Sequence, residues 1–266
     1  MPLAWSRVIY TPLDRCRQRA WRHPDVVGWG LDEDVTMSRH SLTLPNRRRQ
    51  ATVTDTASTR SGPYAAIYEE SIADPESFWL RASEAIDWYV DPVTALDPAA
   101  GPGARWFPGA ELNTSFNALD RHVAAGRGDQ AALIYDSPVT ETGTQYSYSE
   151  LLDEVARFAG VLANLGVRKG DRVLIYLPMI PEAVIAMLAT ARLGAIHSVV
   201  FGGFAADELA ARIDDATPKV IVSASCGIER AKPIAYKPLL DDALRTAAHT
   251  PVAQVIKQRP QLAAEL

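Results

Sequence analysis

Three observations predict an α/β fold built on a parallel sheet. From Asp129 onward, short apolar runs alternate with stretches of helical period. The helical stretches open on capping residues and several close on glycine. The apolar runs are short, as expected for strands covered on both faces. Such alternation calls for a parallel sheet with right-handed crossovers. No internal repeat interrupts it.

The elements follow in order. Residues 1–62 hold ten arginines and no lysine and show no sustained hydrophobic period. A disordered or mis-assigned N-terminal extension is the expectation there. Asp14, Asp25 and Asp32 to Asp34 argue against an organelle presequence, which is poor in acids. Tyr64 to Ile72 places apolar residues at helical spacing. Asp74-Pro75-Glu76 reads as a helix start, with Asp74 as N-cap and Pro75 in the first turn. Phe78, Trp79 and Ile86 are expected to face inward, and Asp87-Trp88-Tyr89 to end that helix. Pro92, Pro98 and Pro102 mark an irregular linker. The rings of Trp106 and Phe107 are expected to serve packing rather than a ligand.

Ala131 to Tyr135 and Tyr146 to Tyr148 read as two strands around a turn at Asp136-Ser137-Pro138. Ser147 and Glu150 have the spacing of a capping box. Leu151, Val155, Phe158, Leu162 and Leu165 then follow at helical period up to Gly166. Val173 to Tyr176 is the next strand, followed by a helix from Pro181-Glu182 to Ala191. Gly194 stands where a helix end wants positive φ. Ala195 to Val200 reads as a strand buried on both faces, ahead of Phe201-Gly202-Gly203-Phe204. A helix from Asp207, a strand Val220 to Ser223, a helix Leu239 to Leu244 and a strand Ala253 to Lys257 complete the pattern.

Composition narrows the classes of function. In 266 residues, hydrophobic residues are 47% and charged residues 22%, ordinary for a globular chain. The net charge of -5 gives no electrostatic footprint for nucleic acid. No apolar run reaches the roughly 18 residues of a membrane span. Cys16 and Cys226 form no metal or redox spacing, and two isolated thiols suit a reducing, cytoplasmic compartment. His122 and His197 have no neighbouring nucleophile or second ligand; His197 reads as a hydrogen-bonded core residue. Asp214-Asp215 and Asp241-Asp242 fall at helix ends and read as solvated faces. No catalytic and no metal-binding residue is assigned.

Two loops carry the candidate chemistry. Gly202 and Gly203 leave bare backbone between two aromatic rings, open to a flat or phosphorylated ligand or simply forming a tight turn. Ser225 to Lys232 follows a strand C-terminus, where ligands sit in open α/β sheets. Arg230 and Lys232 offer positive charge there, to a phosphate or to solvent.

The strings from Tyr64 to Lys232 resemble the short-chain acyl-CoA synthetases, the acetate- and propionate-CoA ligases of the adenylate-forming superfamily. The resemblance implies an acetyl-CoA synthetase-type N-terminal region over 63–122 and an AMP-binding synthetase domain over 123–266, ending short. It implies coenzyme A contacts at Phe201, Gly202 and Gly203, and at Glu229, Arg230, Ala231 and Lys232. It implies a short-chain carboxylate as substrate, with coenzyme A, ATP and magnesium. Gly227-Ile228-Glu229 is closer to the propionate-type than to the acetate-type branch, which has Arg where Glu229 stands. Glu229 opposes phosphate binding, and Arg230 and Ala231 also depart from the pattern. The family's Ser/Thr/Gly-rich ATP loop ending in Lys does not occur in the sequence. A fragment of a ligase, inactive alone, is therefore expected. The alternative is a non-catalytic coenzyme A-binding module, or one complemented by a separate C-terminal chain.

Overall fold

The structure is a computed structural model and describes residues 62–101, 103–229 and 232–264. The extension expected over 1–62 lies outside the described residues, Gly62 apart, as do Arg230 and Ala231. The chain divides into two compact units, with the boundary between residues 112 and 113.

The first unit holds helices α1 (Pro63–Ala73) and α2 (Pro75–Ser83) and a short antiparallel pair, β1 (Leu96–Asp97) with β2 (Arg105–Trp106). The Asp74 side chain caps α2 by accepting from Ser77 N–H, as its sequence position predicts. The Glu76 carboxylate accepts from the N–H groups of Ala95 (2.7 Å) and Leu96 (3.2 Å), tying the helix to the strand. Two expectations fail here. Helix α2 stops at Ser83, short of Asp87, and Trp79 and Ile86 are exposed. Trp106 is also exposed, and it meets Trp79 edge-on at 5.4 Å. These rings therefore pack on one another instead of filling a core.

The second unit opens with two π-helical turns, Phe116–Asp120 and Val123–Arg127, and an antiparallel hairpin of β3 (Ala131–Ser137) and β4 (Thr142–Ser147). Ser147 and Glu150 form the predicted capping box at the start of α3 (Tyr148–Asn164). There follow β5 (Arg172–Tyr176), α4 (Pro181–Arg192), β6 (Ile196–Val199), α5 (Ala206–Ala216), β7 (Val220–Ala224), β8 (Cys226–Glu229), β9 (Lys232–Ala235), α6 (Tyr236–Thr246) and β10 (Ala253–Lys257). Four of these strands form a parallel sheet in the order β10-β7-β5-β6. The chain steps from β5 outward to β6, then returns across β5 to β7. In open α/β sheets ligands sit at such a switch point, outside the carboxyl ends of the strands.

Period-two alternation divides the core between the two faces of the sheet. Val173, Ile175, Val220, Val222 and Val255 pack with Val155, Phe158 and Leu162 of α3 and with α4. Leu174, Tyr176, Ile221 and Ile256 pack on the other face with Leu209 and Ile213 of α5 and Leu240 of α6. At the end of α4, Gly194 has φ 68°. Its N–H donates to Ala191 O, and Ala195 N–H donates to Thr190 O. That is a Schellman closure, which a side chain at 194 would strain.

Strand β6 corrects the sequence reading. It is shorter than expected and lies at the edge of the sheet among the described strands. Ile196, His197 and Val199 are exposed, and only the flanking Ala195 and Val200 are buried. His197 is thus not a core residue. The apolar composition suits burial, but a single strand neighbour leaves one side of β6 open. The segment read as a loop, Ser225 to Lys232, is largely an antiparallel hairpin, β8 with β9, in which Glu229 faces Lys232.

Candidate functional site

The carboxyl edge of the sheet collects the candidate residues. Tyr176 ends β5, the Phe201–Phe204 turn follows β6, and the β8–β9 hairpin follows β7 after the single residue Ser225. Within the turn, Phe204 N–H donates to Phe201 O at 3.2 Å. Phe201 is 72% exposed and meets the Phe204 ring edge-on at 5.9 Å. Phe204 in turn carries the Arg212 guanidinium over its face, 4.9 Å from the ring centre. Phe201 therefore presents an open aromatic surface, while Phe204 is held by α5.

Gly202 and Gly203 have different neighbours. A Cβ on Gly203 would meet the Phe201 ring at 2.7 Å. A Cβ on Gly202 would collide with the hydroxyl of Tyr236 and lie 2.9 Å from its Cζ. Neither glycine donates its N–H to another described residue.

Tyr236 begins α6, and sequence reasoning passed over it. Its ring stacks on Tyr176 with centres 4.8 Å apart and planes 25° apart. The Tyr176 hydroxyl donates to Phe204 O (3.1 Å), with Gly202 O at 3.4 Å. Burial, and then the neighbouring Tyr236, push the Tyr176 phenol up to about 12. Burial likewise raises Tyr236, where Arg259 pulls down and Glu229 pushes up. Both phenols are thus neutral donors at physiological pH.

The hairpin is anchored at its base. Ser225 N–H donates to Lys257 O (2.8 Å), and Ser225 O accepts from Tyr236 N–H (3.0 Å). Arg259, itself buried, donates its N–H to Ser225 Oγ (2.8 Å) and its Nη1 to Cys226 O (3.0 Å). At the far end Glu229 and Lys232 are exposed and paired in register. Beside the hairpin, Lys257 and Glu182 form an ion pair at 2.6 Å with little exposure. Cys226 is buried and free.

Other residues weighed in the sequence have structural partners. Arg192 grips Asp120 through both guanidinium nitrogens, at 2.7 and 2.9 Å. Asp214 accepts from His249 N–H, and Asp241 pairs with Lys237. His122 lies 4.9 Å from the Tyr148 ring. Among the described residues no group of three His, Cys, Asp or Glu is placed to hold a metal ion, and no helix is long and apolar enough to cross a membrane.

A parallel sheet with a switch point, and an aromatic-glycine turn beside a charged hairpin at its carboxyl edge, define a class. The chain belongs to the AMP-binding enzyme family, whose model matches residues 120–265. Residues 64–118 match the acetyl-coenzyme A synthetase N-terminus. Among relatives, acyl-CoA synthetase short-chain family member 3, mitochondrial, of Rattus norvegicus is 50% identical over 207 residues, covering 78% of this chain and 30% of its own length. Acetyl-coenzyme A synthetase of Streptomyces avermitilis is 47% identical over 210 residues, covering 78% of this chain and 32% of its own length. The solved acetoacetyl-CoA synthetase of Streptomyces lividans superposes with a TM-score of 0.68 at 32% identity, covering 77% of this chain and 31% of that one. The chain thus spans about a third of the length of the relatives it matches.

Proposed function

We propose that the chain carries part of the coenzyme A site of an AMP-forming short-chain acyl-CoA synthetase. One observation carries this reading: Tyr236 brings the Phe201-Gly202-Gly203 turn and the β8–β9 hairpin together at the carboxyl edge. The exposed Phe201 ring offers a stacking face. The N–H groups of Gly202 and Gly203, with Arg230 and Lys232, suit the phosphates of coenzyme A. Glu229 and Ala231 complete the set of contacts, and Glu229 tempers its affinity for an anion.

In the whole reaction a short-chain carboxylate attacks the α-phosphate of ATP, forming an acyl-adenylate and releasing pyrophosphate. The coenzyme A thiol then attacks the acyl carbon and expels AMP. Magnesium accompanies ATP in this reading. Propionate is favoured over acetate by Gly227-Ile228-Glu229. The location is cytoplasmic. The domain bounds are 63–122 for the N-terminal region and 123–266 for the synthetase domain. The 266 residues hold no Ser/Thr/Gly-rich ATP loop ending in Lys, the part that would position the α-phosphate. A second reading is a coenzyme A-binding module completed by a separate C-terminal chain.

Titration calorimetry with coenzyme A tests the central reading. Binding at up to millimolar ligand is expected, weakened several-fold by Phe201→Ala, in line with about 1 kcal/mol for an aromatic contact. No heat from demonstrably folded protein contradicts it. Co-expression with the C-terminal two thirds of a relative tests the second reading, which requires propionate-dependent ligase activity to appear.

A further inference from the structure

We infer that Tyr236 is a positioning residue that joins the two loops of the candidate site into one unit. The inference rests on the coenzyme A reading for its functional consequence, but its geometry stands apart from it.

The Tyr236 side chain is buried and lies against the backbone of both loops. On one side its hydroxyl occupies the space a Cβ would take at Gly202. On the other, its ring edge and hydroxyl lie 2.5 to 2.6 Å from where a Cβ would stand at Gly227. Those distances leave no room for any side chain at either position. Tyr176 supports the ring from the sheet by stacking on it, and reaches the turn through its own hydroxyl bond to Phe204 O. Tyr236 N–H is tied to Ser225 O at the root of the hairpin. Arg259 holds the next carbonyl, that of Cys226, from the sheet side.

Two glycines 25 residues apart in sequence are therefore required by the same side chain. In the sequence, Gly202 reads as bare backbone for a ligand, and Gly227 as part of a separate loop after a strand. The structure assigns both to Tyr236. Displacing its ring moves the turn and the hairpin together, so Tyr236 sets coenzyme A affinity without touching the ligand. A ring that merely filled the core would instead cost stability and leave the two loops independent.

Size exchange in the full 266-residue chain separates these cases. Gly202→Ala adds a methyl group where the Tyr236 hydroxyl lies. It is expected to shift the amide resonances of Cys226 to Glu229, across the gap, as well as those of Phe201 to Phe204. It is also expected to weaken coenzyme A binding roughly tenfold, a coupling typical of residues in contact. Tyr236→Phe removes the hydroxyl and keeps the ring. In that background Gly202→Ala is expected to cost no more than about threefold. Hairpin resonances unmoved by Gly202→Ala, or penalties that simply multiply in the double variant, overturn the inference. If the folded parent does not bind coenzyme A, the functional reading fails, and the hairpin resonances alone decide the role of Tyr236.

Discussion

The two ends of the parallel sheet are built in opposite ways. At the amino edge, polar groups close on one another. Arg172 donates to Ala216 O (2.9 Å) and Gly170 O (3.3 Å), and to both the carbonyl and the hydroxyl of Thr217. Asp171 accepts from Lys219 Nζ (3.0 Å) and Arg168 N–H (2.7 Å). His249 Nε2 meets Pro218 O at 2.8 Å. At the carboxyl edge, two glycine N–H groups have no described partner, and Phe201 and Met179 stand in solvent. At the amino edge these polar groups are partnered, whereas at the carboxyl edge the hairpin root is bonded but the Phe201–Phe204 turn keeps exposed and unbonded groups among the described residues. That difference accords with the ligand site proposed at the carboxyl edge, and the amino edge acts as a clasp.

Breaking the clasp should give the largest loss of stability. Arg172→Ala removes all the side-chain bonds that join β5 to the end of α5. It is expected to cost about 2–3 kcal/mol, measured by urea unfolding, with little effect on coenzyme A binding once folded. Gly227→Ala strikes the other edge. It forces Tyr236 to move, at about 1–3 kcal/mol for overpacking, and coenzyme A affinity should fall with it. An unchanged affinity would dissolve the contrast between the edges.

The pH dependence separates the edges further. Burial pushes Asp171 up, but the Lys219 hydrogen bond, the Arg168 N–H and the charges of Lys219 and Arg172 bring it below the usual carboxylate range. A depressed folded value means stability is present above about pH 4 and is lost as pH falls through it. Tyr176 runs the other way. Its phenol is raised to about 12, so its contribution is intact below about pH 10 and is lost as pH rises from there to the folded value. Asp171→Asn should flatten the acid limb only, and Tyr176→Phe the alkaline limb only, in thermal melts across pH.

The smallest expected signal is a surface one. Ile196, Val199 and Phe201 lie exposed on or beside an open strand edge. Residues 63–266 are expected to be poorly soluble or to bind a hydrophobic dye. A monomeric, dye-negative protein with a cooperative thermal transition would contradict that expectation.

Much of the fold was legible because its signals are local. Asp74, the Ser147–Glu150 box and Gly194 each act within a few residues, and each performs its expected role. Strand β6 misled because Ala195, Ile196, Val199 and Val200 give its surroundings an apolar look, although His197 and Ser198 sit within it. Its place in the sheet decides its exposure, whereas β7 lies between β5 and β10 and is buried throughout. The β8–β9 hairpin was hidden for a related reason. Its two strands have four residues each, and glycine with alternating charge reads as a loop. In the candidate site, the Phe201–Phe204 turn and the 225–232 segment stood out in the sequence, the latter as a loop and not as paired strands. Tyr236 was not, because its importance arises from two glycines distant in sequence that only the folded chain brings to its ring.

Hydrogen–deuterium exchange with and without coenzyme A tests the division between the edges most directly. The account predicts added protection over residues 200–205 and 226–235, with residues 168–172 and 216–219 unchanged. Protection at the amino edge, or none anywhere from folded protein at millimolar ligand, would contradict it.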